Sequence, residues 1–353
     1  MAPQTMKAIK VVEPGKAELQ TVPLPKLRDH YVLVKVVAVA LNPTDWKHVD
    51  YLAAPGATVG CDFAGTVEEV GSKVTKSWKK GDRIAGFTHG VNKVELEDGA
   101  FAEYCVVKGD IQMKIPDNLS FEEASTLGVG VTTVGQGLYQ SLKLPLPTEP
   151  SKEALPVLIY AGATATGSLA IQYAKLSGLK VYTTCSPRNF EFVKALGADE
   201  AFDYKDPECG KKIREATKDS LAHAFDCISE GSSPQICCDA ISSKGGKISY
   251  LLPVKDTPRK DVETGNTLAY TVTGEGFPFG PAEFPPKKED FEFGAMFWEL
   301  STKLFGEGKV KVHRPEVRKD GLKGVFGGLN DMRQGKVSAV KLVYKVEETP
   351  ESG

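Results

Sequence analysis

The stretch at residues 155–176, LPVLIYAGATATGSLAIQYAKL, decides the fold class. Residues 155–161 are a continuous apolar run of the kind found in a parallel strand buried on both faces. Gly162 to Gly167 is a turn of small residues, and 168–176 places its apolar residues at helical spacing. Strand, small turn and helix in that order offer backbone N–H groups and a helix N-terminus to a pyrophosphate. Alone the turn is a weak signal: it lacks G-x-G-x-x-G, Thr164 stands where a glycine is common, and small residues there also serve packing. Its surroundings strengthen it. Residues 180–184, 201–204, 224–228 and 246–252 read as further strands separated by helix-length segments. Alternating β and α elements predict an α/β fold with a doubly wound parallel sheet.

Upstream lies a connector at 144–156 carrying Pro145, Pro147, Pro150 and Pro156, which cannot continue a helix or a central strand. Before it the chain is β-rich, with short β-branched or aromatic runs at 6–12, 31–41, 63–70, 83–87 and 101–107. A helical segment at 121–126 leads into Gly128, Gly130, Gly135 and Gly137, suited either to close ligand approach or to tight helix packing. Downstream, 253–288 is proline-rich, and regular hairpins are not expected there. A helix at 291–306, an extended 309–313, a helix at 319–334 and a strand at 339–346 complete the chain and are expected to return to the first domain.

The 353 residues are 41% hydrophobic and 25% charged, which disfavours disorder and suggests two domains. A formal charge of -2 lacks the excess expected of a nucleic-acid or anionic-membrane binder. No run of about 18 apolar residues and no secretory signal core are present, so the expected location is cytoplasmic. Seven cysteines without CxxC spacing argue against a disulfide framework and a structural zinc site.

Cofactor choice is set after the second parallel strand, where an NAD-specific site places an acid for the ribose hydroxyls. Tyr182-Thr-Thr-Cys-Ser-Pro-Arg-Asn189 has none. Ser186 can donate to a 2′-phosphate and Arg188 can pair with its charge, so NADPH is expected. Arg188 could instead be a solvated helix-start arginine, and Tyr204 could flank adenine or simply pack.

Further motifs carry a resemblance: Leu41-Asn-Pro-Thr-Asp45, Gly60-Cys-Asp-Phe-Ala-Gly-Thr-Val67, Gly81-Asp-Arg83, Gly99-Ala-Phe-Ala-Glu-Tyr104 and Ser168-Leu-Ala-Ile-Gln-Tyr-Ala-Lys175. With them nearly the whole chain resembles the zinc-independent medium-chain dehydrogenase/reductases. The resemblance implies a GroES-like β-rich catalytic domain, here residues 1–125 and 306–353, around a Rossmann domain at 126–305. Zinc-dependent members bind the metal through a Cys and a Gly-His-Glu motif. The corresponding places are Thr44 and Gly60-Cys-Asp62, without a third ligand, so no metal is expected.

Within that branch, Asn42-Pro-Thr-Asp-Trp-Lys47, Leu144-Pro-Leu-Pro147, Ala163-Thr-Ala-Thr166, Thr184-Cys-Ser-Pro-Arg-Asn189, Phe202-Asp-Tyr204 and Gly274-Glu-Gly276 are similar to fungal trans-acting enoyl reductases of polyketide biosynthesis, the lovastatin type. That resemblance implies NADPH contacts by Asp45, Trp46, Lys47, His48, Ala163, Thr164, Ala165, Thr166, Ser186, Pro187, Arg188, Asn189, Tyr204, Leu251, Leu252, Val340 and Lys341. It also implies an acyl channel lined by Gly128, Val129, Gly130, Val131, Thr132, Thr133, Val134 and Gly135 and by Thr271, Val272, Thr273, Gly274 and Glu275. Ala163 and Arg188 depart from the type, which has Ser and His there.

Reducing an α,β-unsaturated thioester requires a hydride at Cβ, a donor to the enolate oxygen and a proton for Cα. Lys47 is the expected enolate donor, unless it is an ordinary exposed lysine; Asp45 orients ribose or caps the helix. Tyr51 or water is expected to supply the proton. Of the histidines at 30, 48, 89, 223 and 313, only His48 falls in a site motif; the others read as surface or packing residues. The expected partner is the acyl-carrier domain of a polyketide synthase, presenting the enoyl thioester. The alternatives are a quinone or alkenal reductase acting on free molecules, or a noncatalytic NADPH-binding protein. Pro253 and Pro258 would blunt a sheet edge through which related enzymes dimerise, so a monomer is expected.

Overall fold

The computed structural model describes residues 3–351. The chain divides into two compact units, one running to Thr132 and resuming at Tyr270, the other spanning Thr133–Ala269. The first opens with antiparallel β1 (Thr5–Glu13) and β2 (Lys16–Pro23), joined across Gly15 at φ +79. Next come β3 (Tyr31–Ala40), α1 (Pro43–Tyr51), β4 (Asp62–Val70), β5 (Arg83–Phe87), β6 (Tyr104–Lys108), β7 (Gln112–Lys114), α2 (Phe121–Ala124) and α3 (Gly128–Val134). β2 escapes sequence reading because its Lys and Glu side chains face solvent; Ala17 and Leu19 half-bury against one core cluster and Val22 against another. After α3 the helix continues as a π-helical turn, Gly135–Ser141, in which a Cβ on Gly137 would lie 2.4 Å from the Phe225 ring.

The second unit holds β8 (Pro156–Tyr160), α4 (Ala165–Leu176), β9 (Lys180–Cys185), α5 (Phe190–Ala195), β10 (Glu200–Asp203), α6 (Cys209–Ala216), β11 (His223–Asp226), α7 (Ser233–Ala240), β12 (Gly246–Tyr250) and β13 (Val262–Asn266). Its six strands run in the order β10-β9-β8-β11-β12-β13, every pair parallel. The order reverses between β8 and β11, which is where an open α/β sheet leaves a crevice beyond its carboxyl ends.

The chain then adds β14 (Phe277–Phe279), β15 (Ala282–Phe284), α8 (Lys288–Gly306), β16 (Pro315–Arg318), α9 (Gly321–Arg333) and β17 (Lys341–Lys345) to the first unit. β17 lies between β16 and β3 in a sheet ordered β16-β17-β3-β4-β5-β7, with β6 also on β3.

Three expectations change. The proline-rich stretch contains a strand, β13, and a short hairpin, β14 with β15, whose Phe277 and Phe284 rings stack at 5.4 Å. The extended segment at 309–313 is not a strand; that role falls to β16. The unit boundaries differ as well: residue 132 rather than 125, and residue 270 rather than 305. α8 belongs with the first unit because its apolar face closes on it. Gly294 admits Val272 so closely that a Cβ would lie 2.1 Å away, and Trp298 Nε1 donates to Thr132 Oγ1 at 3.3 Å. All seven cysteines are free and buried.

Candidate functional site

Asn42 and Pro43 open α1, and Asp45 at its third position folds back so that Oδ2 accepts the Asn42 backbone N–H at 2.6 Å. Of the two roles read from the sequence, helix capping is the one visible here. Burial pushes the Asp45 carboxyl up to about 7. Asn42 Oδ1 in turn accepts from Lys341 Nζ at 2.9 Å, and the same ammonium reaches Asp62 Oδ2 at 2.5 Å and Thr126 O at 2.9 Å. Asp62 Oδ1 accepts Val129 N at 2.7 Å, at the start of α3. Side-chain exposure is 2% for Lys341 and 0% for Asp62, so this ion pair is sealed from water. It ties together four segments: the 42–45 turn, β4, the entry to α3 and β17. The resemblance implies a cofactor contact at Lys341; the three donors of its ammonium are engaged within the protein.

This geometry also settles the fit of a zinc ion. Asp62 has both oxygens engaged, Thr44 is a hydroxyl, and burial raises the Cys61 thiol well above its usual value. Among the described residues no group of three or more His, Cys, Asp or Glu could hold a metal ion. The residues present do not fit zinc.

Beside the ion pair lies a buried ring cluster. Tyr270 places its hydroxyl 2.8 Å from Thr44 Oγ1 and 3.6 Å from Cys61 Sγ. Thr44 Oγ1 also meets His48 Nδ1 at 3.1 Å, and that nitrogen lies 2.8 Å from Thr44 O. A ring nitrogen facing a carbonyl must carry the proton, which assigns the Nδ1–H tautomer and leaves Nε2 bare and without a partner. Burial holds His48 at about 4 and His89 at about 3, so both rings are neutral near pH 7. His89 stacks on Tyr270 at 4.2 Å and meets the edge of Phe277 at 4.9 Å.

α1 turns Asp45, His48 and Val49 inward and leaves Trp46, Lys47 and Asp50 half-buried. Lys47 Nζ lies 5.8 Å from the centre of the Trp46 ring. Asp50 takes both Nε and Nη2 of Arg333 at 2.8 Å, pinning α1 to α9. Tyr51 is 73% exposed and edge-on to Trp46 at 6.1 Å, so it shares the Lys47 end of the helix without being enclosed.

In the second unit, Gly162 is required because a Cβ there would lie 2.1 Å from Thr183 Oγ1. Thr164 caps α4: its Oγ1 accepts Gly167 N at 3.0 Å and donates to Ala161 O at 2.8 Å. That cap explains why a threonine replaces the usual glycine. The Ala165 and Thr166 amides that follow have no acceptor among the hydrogen bonds of the turn. Free amides at the start of a twelve-residue helix, beside buried Ala163, fit a pyrophosphate. The parallel topology carries other expected residues to the same edge of the sheet. Ser186, Pro187, Arg188 and Asn189 follow β9, Tyr204 follows β10, and Leu251 and Leu252 follow β12. Arg188 is exposed and Ser186 half-buried, with no acid between Cys185 and Asn189. Sequence reading missed Ile228 and Ser229, which follow β11 on that edge; Ile228 is 37% exposed, and a large apolar residue just past a parallel strand was the available signal.

The expected channel residues are mostly internal. Gly128 is held where a Cβ would lie 2.2 Å from Gly86 O. Gly130, Val131, Thr132, Thr133, Val134 and Gly135 are buried, and Val129 is half-buried. Thr271 and Val272 are buried too, with Thr271 Oγ1 donating to Asp290. Thr273 Oγ1 donates to Tyr270 O at 3.0 Å, and Gly274 turns at φ +71. Glu275 is tied by Tyr31 Oη at 2.6 Å and Lys108 Nζ at 2.7 Å, so its carboxylate anchors the segment. Neither His89 nor Tyr270 was singled out, because their partners are distant in sequence.

Residues 28–117 match the alcohol dehydrogenase GroES-like domain, and 165–280 match the family described as zinc-binding dehydrogenase. The chain is 50% identical over 344 residues to trans-enoyl reductase ACTTS2 of Alternaria alternata, covering 97% of this chain and 99% of that protein. It is 55% identical over 292 residues to trans-enoyl reductase TOXD of Cochliobolus carbonum, covering 82% and 98%. Among solved structures, a quinone oxidoreductase from Coxiella burnetii superposes with a TM-score of 0.73 at 26% identity, covering 97% and 99%. The CurK enoyl reductase, at a TM-score of 0.74 and 21% identity over 97% and 99%, shows the fold alone.

Proposed function

The chain belongs to the trans-enoyl reductases within the medium-chain dehydrogenase/reductases, and from that membership we propose that it uses NADPH to saturate the α,β-double bond of a polyketide thioester presented by the acyl-carrier domain of a separate synthase. The observation that carries the cofactor reading is the edge of the parallel sheet. There the Ala165 and Thr166 amides open α4 without acceptors, and Ser186 and exposed Arg188 replace the acid of an NAD site. Arg188 supplies charge for a 2′-phosphate, Asn189 and Tyr204 flank it, and Leu251 and Leu252 offer apolar surface. The bound nicotinamide would supply the hydride.

The protein's own part is to hold the enoyl group and manage charge. Asp62 is closed off by Lys341 and Val129 and does not face the substrate. Lys47, half-buried on α1, is the proposed donor, and an ammonium there strengthens its bond as the oxygen becomes anionic. Tyr51 or water delivers the proton to Cα. Gly128 to Gly135 and Thr271 to Glu275 are the proposed acyl walls.

No helix among the described residues is long and apolar enough to cross a membrane. We take the protein to be cytoplasmic and monomeric: β13 ends the parallel sheet as a five-residue strand with exposed Glu263 and Thr264. A sedimentation mass of twice the chain mass at micromolar concentration would refute the monomer. The functional test is NADPH oxidation with a crotonyl or longer 2-enoyl pantetheine thioester, a simple quinone and a free enal, each product weighed by mass spectrometry. Preferential thioester saturation is expected; quinone or enal turnover with an inert thioester would replace this reading with a small-molecule reductase.

A further inference from the structure

The first unit contains a cavity of ≈ 230 Å³ whose walls include His89, Asn92, Asp98, Thr273, Glu275 and Phe277. Almost every polar group around it is already engaged. Asp98 pairs with Arg28 and accepts Asn92 Nδ2 at 3.1 Å, while Asn92 Oδ1 accepts Val94 N at 2.9 Å. Glu275 is held by Lys108 and Tyr31, and the Thr273 hydroxyl is bonded to Tyr270 O. His89 is the exception. It is 6% exposed and lines the cavity; among the described residues its ring nitrogens make no hydrogen bond, and it packs on the Tyr270 and Phe277 rings. Neither ring nitrogen is among the fully enclosed polar atoms that lack a partner, so the imidazole is open to a group entering the cavity.

A neutral imidazole presents one N–H donor and one bare acceptor nitrogen, so its complement is a group that both donates and accepts. An anion is disfavoured, because Glu95, Asp98 and Glu275 all border the cavity. An aliphatic chain would fill the space beside Phe277 yet leave His89 unbonded. What fits is a neutral chain bearing a hydroxyl.

The cavity also lies one ring away from the proposed chemistry: His89 stacks on Tyr270, and the Tyr270 hydroxyl touches Thr44 in the first turn of α1, which carries Lys47. We propose that this cavity is a subsite for the distal, hydroxyl-bearing part of the acyl chain, with His89 as the specificity-determining contact. The assignment rests on the enoyl reductase reading and names the substrate class within it: oxygenated rather than fully reduced chains.

The test compares 2-octenoyl pantetheine thioester with its 5-, 6-, 7- and 8-hydroxy analogues, following NADPH oxidation by the full chain and by His89→Phe and His89→Asn. At one hydroxyl position the native protein should gain about tenfold in kcat/KM over the plain chain, carried by KM, the worth of one well-made hydrogen bond to a group otherwise left unpaired. His89→Phe keeps the stack on Tyr270 and should bring that ratio to one, whereas His89→Asn, which still donates and accepts, should keep part of it. Because the ratio is taken within each variant, a general loss of folded protein cancels. A native enzyme that treats all five chains alike, or a His89→Phe variant that keeps the tenfold ratio, overturns the subsite. An enzyme that reduces none of them overturns the functional reading, and this inference with it.

Discussion

Replacing Lys341 by methionine keeps the length of the side chain and removes the charge. In the native protein that ammonium makes bonds of 2.5 Å to Asp62, 2.9 Å to Asn42 and 2.9 Å to Thr126 O, with both charged side chains shut away from water. The substitution would strand a buried carboxylate with only the Val129 N–H, and would leave one amide oxygen and one carbonyl without their donor. Breaking a buried pair from one side costs about 3–5 kcal/mol. At about 2–4 °C per kcal/mol for a domain of this size, the melting transition of the first unit should fall by roughly 6–20 °C. Calorimetry is the appropriate assay, since the two compact units need not melt together. The double variant Asp62→Leu, Lys341→Met supplies the control: removing both charges is often near neutral, so it should recover most of the loss. A single-variant drop under about 1 kcal/mol, or a double variant whose loss equals or exceeds the summed losses of the two singles, would refute the account of a sealed, mutually dependent pair.

Arg188→Ala should raise KM for NADPH by about 10- to 100-fold, the worth of a charge-assisted hydrogen bond, and leave KM for NADH unchanged; equal effects on both would remove the 2′-phosphate assignment. Thr164→Ala removes the cap of α4 and should cost about 1 kcal/mol in urea denaturation of the second unit, with no measurable change if water replaces the hydroxyl fully. Asp45 is raised in the folded state to about 7 from an ordinary 3.8, so its stabilising share is complete below 3.8 and is lost as pH rises through 7. Asp45→Asn keeps an oxygen for the Asn42 N–H and should therefore gain stability relative to the native protein as pH rises from 3.8 to about 7, levelling off above; parallel profiles would show that the carboxyl is not held neutral.

The parts of the fold that could be read in advance are those written locally. The run at 155–161, the small turn and the following helix each announce themselves within a few residues, and β8 and α4 appear there. Asn42-Pro-Thr-Asp45 likewise encodes its own helix start. The rest depends on partners far along the chain. Nothing near Lys341 signals that its ammonium meets Asp62, 279 positions away. The same holds for Tyr270 and Thr44, 226 apart, whose contact turns two unremarkable residues into the floor of a ring cluster. β2 alternates only over Lys16-Ala-Glu-Leu-Gln20, with Ala17 and Leu19 merely half-buried, too short and too wet a pattern to announce a strand. The 305 boundary differs from the observed 270 because amphipathicity reveals that a helix such as α8 has a buried face but not where the crossing between cores falls.

The position of β17 has a consequence for how the polypeptide is made. The second unit is contiguous, so its sheet can close as soon as β13 emerges from the ribosome. The first unit cannot: the Val39–Ala40 end of β3 pairs with Val343 and Tyr344, which are synthesised long afterwards. At about 5–20 residues per second, the wait between the end of α3 and the arrival of β17 is roughly 10–40 s. Throughout that interval the Ala38–Ala40 end of β3 lacks its partner on one side, and Asp62 lacks the Lys341 ammonium. In a nascent chain of this design, the β-rich half is largely made first and its sheet is completed last.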